Sequence, residues 1–530
     1  MSDYLGEIVN IGNQSYRIRI TLSNVNTKTP FFVPYSVVNE LVIQEDMVNW
    51  WTKGWISIQN DFEAIERGSP YTRTADNNNP TKYIKEGLFN FRQDARNKLN
   101  IRIETVVDTK VDDINLENTD WTMDFDFIIY EFEDIDTNSV TSKIKKFYFI
   151  DERYQIFSER NIPWSTSTHG PASNSGKPPY QLTDKEREMH PNDAIKSIIK
   201  TSACNNFAST ESSTLFVGFD EKGSIEDPNI PLANINDEMW NTSQSPDSNV
   251  FYTSPSNSTV MDDLDFMLNH AIGKDGDPVF LRLHRFTKKW ELVSLVDYFK
   301  GAKQLERLLI NDGVEMNAAG YISRAEFNTS DPKIINFFST KASIITNYKY
   351  SQMSPVDEMQ ITNRPIHKYD FSTGTYSIFA QENKAMEVYD KIKSFAKKGN
   401  LFSHSLNETE GQIWGNVNKT KSEGLTIKNS FYNQGTNNLN LIKMIKDFIF
   451  LNQCIYFQNN GLTLRSPGNF IFIDKVDSGD KNTFDDRFLG QWLVTKVTHY
   501  FSKDAYLTDV YASKIDGVNK HWDIKDNKQY

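Results

Sequence analysis

The chain has 530 residues, 38% of them hydrophobic and 13% aromatic, which is enough for about three or four domains and excludes a disordered chain. Its 58 basic and 70 acidic residues give a net charge of −12, which excludes the basic surface that tight nucleic-acid binding requires. An acidic surface still lets DNA move past it, because like charges repel the phosphate backbone.

The sequence contains no membrane helix, since no segment approaches the roughly 20 consecutive apolar residues needed. We therefore expect no stable membrane insertion. Residues 1–20 lack a basic segment followed by an apolar one, so we also expect no signal peptide. Cys204 and Cys454 are then expected to be buried free thiols rather than a disulfide.

The first 150 residues alternate apolar and polar side chains, the pattern of half-buried β-strands. The alternation begins at residues 16–22 and returns at residues 55–58, 99–107 and 146–150. A further strand at residues 123–127 has one apolar face and one acidic face. These strands predict a small antiparallel barrel or sandwich.

The next segment, residues 161–179, is rich in Ser, Thr, Asn, Gly and Pro and predicts an extended loop or inter-domain connection. We place the first domain boundary there. A short helix is expected after it in the segment that begins at Pro191, because proline is tolerated in the first turn.

A second polar stretch, residues 220–259, is followed by a helix that Ser258 or Thr259 can cap. The apolar residues of this helix form one stripe over positions 260–271, so the helix is expected to pack on its neighbours. Two strands, at residues 279–283 and 290–295, are the predicted partners.

The last 130 residues predict one helix and five strands. The helix is expected at residues 439–451, and the strands are expected at residues 455–457, 462–464, 470–473, 492–497 and 506–511. A turn at Pro467 and Gly468 leads into the third strand, Gly490 opens the fourth, and residues 502–505 connect it to the fifth. A β-domain at each end of the chain predicts two related modules.

The strand at residues 492–497 is partly apolar on both faces, with Trp492 and Val494 on one of them. This pattern is typical of a strand that packs on its own core and is also covered by a neighbouring subunit. Burial of both faces within a single chain is an equal physical possibility. Trp492 and Val494 are therefore the candidate subunit-interface residues.

The motifs that could carry nucleotide chemistry are incomplete. Gly170 and Gly176, followed by Lys177, are one residue too far apart for a phosphate-binding loop. Pro178 also replaces the Ser or Thr that would hold magnesium. We interpret this segment as a loop.

The acidic clusters and the scattered histidines are incomplete as metal or catalytic sites as well. His404 and Glu408 lack further ligands. Acidic residues in the first turn of the helix at 260–271 are expected to stabilise the helix dipole, namely Asp262, Asp263 and Asp265. Asp485 and Asp486 are read as a turn. We expect no catalytic residue, cofactor or metal.

The C-terminal segment carries a resemblance. The order Arg465-x-Pro467-Gly468, a strand, and then a strand from Gly490 through His499 resembles the final barrel of contractile-tail hub proteins. The strand that begins at Tyr506 completes the pattern. The family is that of the central baseplate hub of contractile-tailed phages, with the hub portion of type VI secretion spike proteins as wider relatives.

The likeness also includes two earlier parts of the chain, and in total it covers about three-quarters of the chain in order. SPSNSTVMDDLDFMLNHA followed by VFLRLHRFTKKWELVSL resembles the middle of phage hub proteins. FRQDARNKLNIRI followed by KKFYFIDERYQIFSERNIPWSTS resembles their first domain. The polar segment at residues 220–259 has no clear counterpart in that family.

The resemblance implies a β-rich α+β fold in which two antiparallel β-barrel tube domains flank a mixed α/β middle domain. The domains are expected at residues 1–160, 161–400 with the polar insert 220–259, and 401–515, followed by a tail at 516–530.

The resemblance also implies a structural role rather than an enzymatic one. Three subunits would contribute two barrels each and so match a six-fold tail tube to a trimeric spike held by the middle domain. The implied partners are the tail tube protein, the central spike protein, baseplate wedge proteins and DNA that passes without specific binding. The expected location is the tail baseplate of the virion, assembled in the host cytoplasm.

Two alternative functions stay open. The first is a tail-associated cell-wall hydrolase or a spike-type component of an injection system, although no segment of about 150 residues is left for a separate catalytic domain. The second is a virion-surface adhesin, which usually shows internal repeats.

Overall fold

The computed structural model describes residues 6–11, 14–23, 31–61, 97–106, 122–136, 142–170, 177–178, 181–203, 249–271, 273, 277–285, 288–295, 304–310, 344–345, 347–352, 366–370, 375–379, 453–475, 487–488 and 490–514. The fold is β-rich, as predicted, with few helices among the described residues. Most of the described strands belong to one large curled sheet of 15 strands that is mainly antiparallel.

The first group of strands comprises β1 (Glu7–Ile11), β2 (Gln14–Ser23), β3 (Phe31–Val33), β4 (Val38–Asp46), β5 (Lys53–Asp61), β6 (Lys98–Val106), β7 (Thr122–Asp136) and β8 (Ser142–Asp151). They pair in the order β1-β2-β6-β7-β8-β5-β4. β3 also pairs with β2, and a 3-10 helix at Tyr35–Val37 connects it to β4. The predicted strands of this region are confirmed.

The middle of the chain holds the helices α1 (Glu152–Glu159), α2 (Thr166–His169), α3 (Asp184–Arg187), α4 (Pro191–Ala203) and α5 (Val260–His270), and the antiparallel pair β9 (Val279–Leu283) and β10 (Trp290–Ser294). The predictions for α4, α5, β9 and β10 are confirmed, and Thr259 is the N-cap of α5. α1 was not predicted; it begins where the Asp151 carboxylate accepts a hydrogen bond from the Arg153 amide at 2.8 Å.

The middle segment has its own core around two buried tryptophans. Trp164 and Trp290 are 2% and 0% exposed, and Trp50 from the β4–β5 connection packs on Trp290 with ring centroids 4.8 Å apart. The polar segments next to this core are more buried than the sequence predicts. Within 161–170, Trp164 is buried, and Val250 and Tyr252 near the end of the polar insert are buried as well.

The remaining strands are β11 (Gln304–Ile310), β12 (Ile344–Ile345), β13 (Asn347–Gln352), β14 (Ile366–Asp370), β15 (Thr375–Phe379), β16 (Gln453–Asn460), β17 (Phe470–Lys475), β18 (Gly490–Ser502) and β19 (Tyr506–Lys514). β14 and β15 form a separate hairpin. The others belong to the large sheet and pair in the order β12-β11-β17-β18-β19-β16-β13.

Two details of this second group depart from the sequence prediction. β11 runs parallel to both of its neighbours, β12 and β17, so the group is not wholly antiparallel. The predicted strand at residues 462–464 is a turn. Its residues are buried as a strand pattern implies, but side chains rather than a neighbouring strand take up backbone carbonyls there, as described below. The predicted helix at 439–451 lies outside the described residues.

The two groups share one register, centred on a bulge in their longest strands. The bulge lies between Ile129 and Glu131 in β7 and between Val494 and Lys496 in β18. Just after it, Glu131 lies opposite Tyr148 of β8, as Lys496 lies opposite Tyr511 of β19.

The equivalence continues into the outer strands of both groups. Tyr148 lies opposite Trp55 of β5 just as Tyr511 lies opposite Tyr456 of β16. One strand further, Trp55 lies opposite Val42 of β4 and Tyr456 lies opposite Lys349 of β13. β4 therefore corresponds to β13, β5 to β16, β8 to β19 and β7 to β18.

The middle core yields a stability prediction. Replacing Trp290 with alanine is expected to lower the free energy of unfolding by about 3–5 kcal/mol, because it removes a fully buried ring that contacts Trp50 and Phe157. Urea denaturation followed by circular dichroism measures the change. The matched variant Trp290→Phe keeps an aromatic ring and is expected to cost clearly less than the alanine variant, because it leaves a smaller cavity. Equal losses for the two variants would contradict this packing.

Candidate functional site: a buried polar junction

The two groups of strands are joined by direct pairing between β4 and β18. The register runs antiparallel from Asp46 opposite Lys496 to Glu40 opposite Ser502. A further hydrogen bond from the Met47 amide to the Thr495 carbonyl, at 2.8 Å, extends the pairing to the bulge in β18. β18 therefore belongs to both groups at once.

The centre of this joint is His499, which is fully buried. Its Nε2 lies 3.1 Å from the Glu45 carboxylate, and its Nδ1 lies 2.8 Å from the Tyr506 hydroxyl. A carboxylate can only accept, so Nε2 donates to Glu45, and a neutral ring then accepts at Nδ1 from Tyr506. Burial lowers the pKa of His499 below its usual value, and the neighbouring Glu45 only partly opposes this.

Glu45 is charged despite being buried. Its exposed fraction is 9%, and burial alone would raise the pKa of its carboxyl group. The Arg285 guanidinium, 3.4 Å away, and the hydrogen bond from His499 outweigh burial and hold that pKa below its usual value. Arg285 follows β9, so the ion pair connects the middle segment to the joint between the strand groups.

Arg285 and Arg465 hold the turn at residues 462–465 in place. Arg285 donates to the Thr463 carbonyl and, at 3.4 Å, to the Arg465 carbonyl. The Arg465 side chain, 1% exposed, donates to the Asn460 carbonyl and the Thr508 hydroxyl. These charged donors satisfy carbonyls that would otherwise be buried without a partner, and hydrogen bonds from charged groups are stronger than neutral ones.

Two further contacts, one from this turn and one from the start of β19, connect the second group of strands to the first. The Thr463 hydroxyl shares a 2.7 Å hydrogen bond with Thr105 of β6, and the Tyr506 ring meets Tyr16 of β2 edge-on at 5.3 Å. We call the set Glu45, Thr105, Arg285, Thr463, Arg465, His499, Tyr506 and Thr508 the junction. It brings together residues of all three parts of the chain.

Next to the junction, the turn between β9 and β10 is anchored to the acidic face of β7. Lys288 binds Asp126 at 2.8 Å and Asp124 at 3.4 Å, and the Asp124 amide donates to the Arg285 carbonyl at 3.1 Å. Lys288 has a φ of 56°, a left-handed conformation that is unfavourable for a residue with a side chain. The acidic face predicted from the sequence is therefore the receiving surface for this turn.

Lys288 and Arg153 fix the charge of Asp126. Burial would raise the pKa of Asp126, but the two cations hold it well below the usual range. The uncharged Asn100 amide also donates to Asp126 at 2.8 Å and to Asp124 at 2.9 Å, which satisfies further acceptor oxygens of this face. A buried or half-buried carboxylate with this many donors stays ionised.

The structure brings together three of the residues selected from the sequence, since Arg465, His499 and Tyr506 all belong to the junction. Pro467 and Gly468 form the expected turn, in which Gly468 has a φ of 85° and its amide donates to the Val494 carbonyl at 2.8 Å. Gly490 is the first residue of β18. Three of the family-like positions therefore lie in the junction, although the sequence did not predict that they would meet.

The predicted interface residues Trp492 and Val494 lie in the core of the chain itself. They are 0% and 1% exposed, and the Trp492 Nε1 donates to the Phe488 carbonyl at 2.8 Å. These two side chains are therefore already covered within one chain. On the outer surface of the same strands, Tyr511 is 42% exposed.

The acidic residues of α5 have separate structural roles. Asp262 forms a capping box with Thr259. Asp263 is 1% exposed and accepts from the hydroxyls of Tyr252 and Ser254, each at 2.6 Å, and burial raises its pKa. Burial also raises the pKa of the Cys454 thiol, which is half-buried. Other candidates lie outside the described residues, namely Cys204, His404, Glu408, Asp485 and Asp486.

Sequence reasoning missed Glu45 and Arg285. A signal for Glu45 was present, because β4 alternates Leu41, Ile43 and Glu45 on the face that turns inward, and a carboxylate at an inward position needs a partner. Arg285 had no such signal, since it lies in a turn with other basic residues. Only the fold shows which of them is buried.

The junction's chemistry is that of a structural connector. Its ionisable side chains are buried or nearly buried, and they hydrogen-bond to one another and to backbone carbonyls. Among the described residues, no group of three or more His, Cys, Asp or Glu is placed to hold a metal. No described helix is long and apolar enough to cross a membrane.

No protein-family model and no curated protein sequence matches the chain. Similar solved structures include the 43 kDa tail protein of prophage MuSo2 from Shewanella oneidensis, at 7% identity and TM-score 0.40, covering 94% of this chain and 100% of that one. A tail protein from Neisseria meningitidis matches at 8% identity and TM-score 0.40, covering 94% and 96%.

A Francisella PdpA–VgrG complex, in a half-lidded form, is similar at 10% identity and TM-score 0.40, covering 98% of this chain and 61% of that one. The similar structures thus include tail proteins and a VgrG complex, which agrees with the resemblance to phage tail proteins noted in the sequence.

The contacts of the junction predict that the stability of the fold depends strongly on Arg285. Arg285→Ala leaves Glu45 buried without its cation and is expected to lower the free energy of unfolding by about 3–5 kcal/mol in guanidinium denaturation. Adding Glu45→Gln is expected to restore part of the loss, because the uncompensated charge is removed. Lys503→Ala, at an exposed turn, is the control and should change stability by less than about 0.5 kcal/mol. Simple additivity of the two junction changes would contradict the ion pair.

The lowered pKa of His499 predicts that the free energy of unfolding depends on pH. Because the pKa of His499 is lowered in the fold, the unfolded chain binds a proton at a higher pH than the folded chain does. The stability is therefore full above the ordinary histidine pKa of 6.5 and falls as the pH drops below it. His499→Gln is expected to reduce this fall, measured as unfolding free energy against pH. An unchanged profile in the variant would show that His499 is not the group responsible.

Proposed function

We propose that the chain is the structural hub of a contractile-tail baseplate, a homotrimer that adapts a six-fold tail tube to a three-fold spike. The observation that carries the proposal is the shared register of the two strand groups, because it gives each chain two equivalent modules. Two modules per chain, joined at a fixed angle by β4 and β18, are what a trimer needs to present six equivalent positions.

Each module is proposed to be a closed barrel. In the first, β3 lies beside β2 and continues through the 3-10 helix into β4, which would return the sheet to its start. In the second, β12 lies beside β11 and β13 beside β16, with a single residue between β12 and β13 in the sequence. On this proposal the second module begins at residue 304 rather than 401, with residues 366–379 as an excursion from it.

The middle segment is proposed to hold the spike. Its own core, around Trp164 and Trp290, makes it a separate packing unit, while Arg285 and Lys288 fix it to both modules. A cup for a trimeric spike must keep its orientation relative to the tube, and a buried ion pair with several geometric partners supplies that orientation. The tail tube protein would meet the modules, and wedge proteins would meet the outer surface.

The channel is proposed to let DNA pass without binding it. The net charge of −12 disfavours a lumen lined with Lys and Arg, since each cation at a phosphate would add affinity and slow the passage. The assembled particle would be the tail baseplate of the virion, built in the host cytoplasm.

A cell-wall hydrolase of the tail, or a spike-type component of an injection system, is the alternative. A hydrolase needs an accessible acid, base or nucleophile, whereas the titratable groups of the junction are buried and bonded to one another. Clearing of a cell-wall suspension by the purified chain would favour the hydrolase.

The hub proposal predicts a specific mass in solution. Multi-angle light scattering is expected to give three times the chain mass of 61.2 kDa, with the purified spike protein added if the chain alone stays dissociated. Negative-stain images of the trimer should show a ring with six lobes around a channel. A stable monomer at micromolar concentration, unchanged by the spike protein, would overturn the proposal.

A further inference from the structure

The register of the two modules makes their strand edges comparable residue by residue. Before its bulge, each of the two long strands has a neighbour on one particular side. β7 pairs there with β6 up to Ile128, and β18 pairs there with β17 up to Leu493. After the bulge, residues 496–502 of β18 pair with β4 on that same side. In the described part of the chain, no strand lies on the corresponding side of β7 after its bulge, at residues 131–136.

The partner strands are comparable in the same way. β4 pairs with β5 on one side and with β18 on the other. Its equivalent, β13, pairs with β16 in the same register, and among the described strands only β16 pairs with it. The β4–β18 joint is therefore complete within the chain. The two strand edges of a second, equivalent joint are also present, but they lie on different modules: β13 on the second and residues 131–136 of β7 on the first.

We infer that β13 of one copy pairs antiparallel with residues 131–136 of another copy, which repeats the β4–β18 joint between chains. The equivalence fixes the register. Tyr500 opposite Val42 in the internal joint becomes Ile135 opposite Lys349 in the intermolecular one, and Thr498 opposite Gln44 becomes Glu133 opposite Ser351.

The side chains at the two edges fit a second copy of the chain. Tyr130, Phe132 and Ile135 are 53%, 44% and 42% exposed, a concentration of large apolar side chains that is unusual for an isolated strand end. The residues at 131–136, EFEDID, carry four acids, whereas β13, NYKYSQ, carries one lysine and no acid. Exposed Lys349 would then lie across from Ile135 and diagonal to Glu133, the spacing at which opposite charges on neighbouring strands attract.

Such a contact is directional, since each copy offers β7 to one neighbour and β13 to the other. Heterologous contacts of this kind form closed rings when the rotation per copy divides a full turn, and open chains otherwise. The inference deepens the proposed hub function, on which it rests for the closure at three copies. The pairing itself depends only on the equivalence of the two modules.

Engineered disulfides test the register in the full chain. The variants Ile135→Cys and Lys349→Cys, each at an exposed position, are mixed and oxidised, since directly opposed strand residues bring Cα atoms within disulfide range. On a non-reducing gel, the amount of cross-linked dimer is expected to be more than about tenfold that of the control mixture of Ile135→Cys with Lys503→Cys. The reason is that the interface holds the two thiols at a high effective concentration. The unmodified chain measures the background from native cysteines.

The outcomes separate this inference from the proposed function. A trimer by light scattering together with a cross-link at or below the control level would overturn the strand pairing while leaving the hub intact. A cross-link that forms efficiently in open oligomers of varied size would support the pairing and contradict the trimeric hub. Monomers without any cross-link would contradict both.

Discussion

The arrangement of this protein depends on keeping one buried carboxylate ionised at the place where two strands from distant parts of the chain meet. Glu45 lies on β4, directly beside β18, and it is charged only because Arg285 and His499 reach it. A buried charge is costly unless it is paired and hydrogen-bonded. The turn after β9 therefore cannot leave the joint without a penalty, and the charge of Glu45 helps to fix the middle segment together with the contacts of Lys288 to β7.

The same joint explains why β18 is long and bulged. Before the bulge its edge is used by β17, and after the bulge the same edge is used by β4. A bulge bends a strand and increases its twist, so one strand can serve two neighbours that point in different directions. β7 is also long and has a bulge in the same register, although no second neighbour after the bulge lies in the described part of the chain. Strand architecture, rather than side-chain identity, is what the two groups have in common.

Most elements could be predicted from the sequence, because their periodicity reports local burial. Residues 16–22 and 123–127 show alternation, and α5 shows an apolar stripe and a cap, so each is visible in a short window. The segment at 462–464 was misread as a strand, since its burial comes from a side-chain-bonded turn. Glu45 and Arg285 were missed for a different reason: their pairing spans separate elements, and no short window contains both. Arg465, His499 and Tyr506 were identified only because a family pattern named them.

The pairing of β4 with β18 has a consequence for how the chain is made. Glu45 and His499 are 454 residues apart, so an N-terminal strand rich in valine, leucine and isoleucine must wait for its neighbour through the synthesis of the intervening chain. Domains generally fold as they emerge from the ribosome, and an apolar strand edge left open during that interval can recruit another nascent chain. The first group of strands is therefore incomplete until β18 has been synthesised, and during that interval the open edge of β4 is available to a second nascent chain.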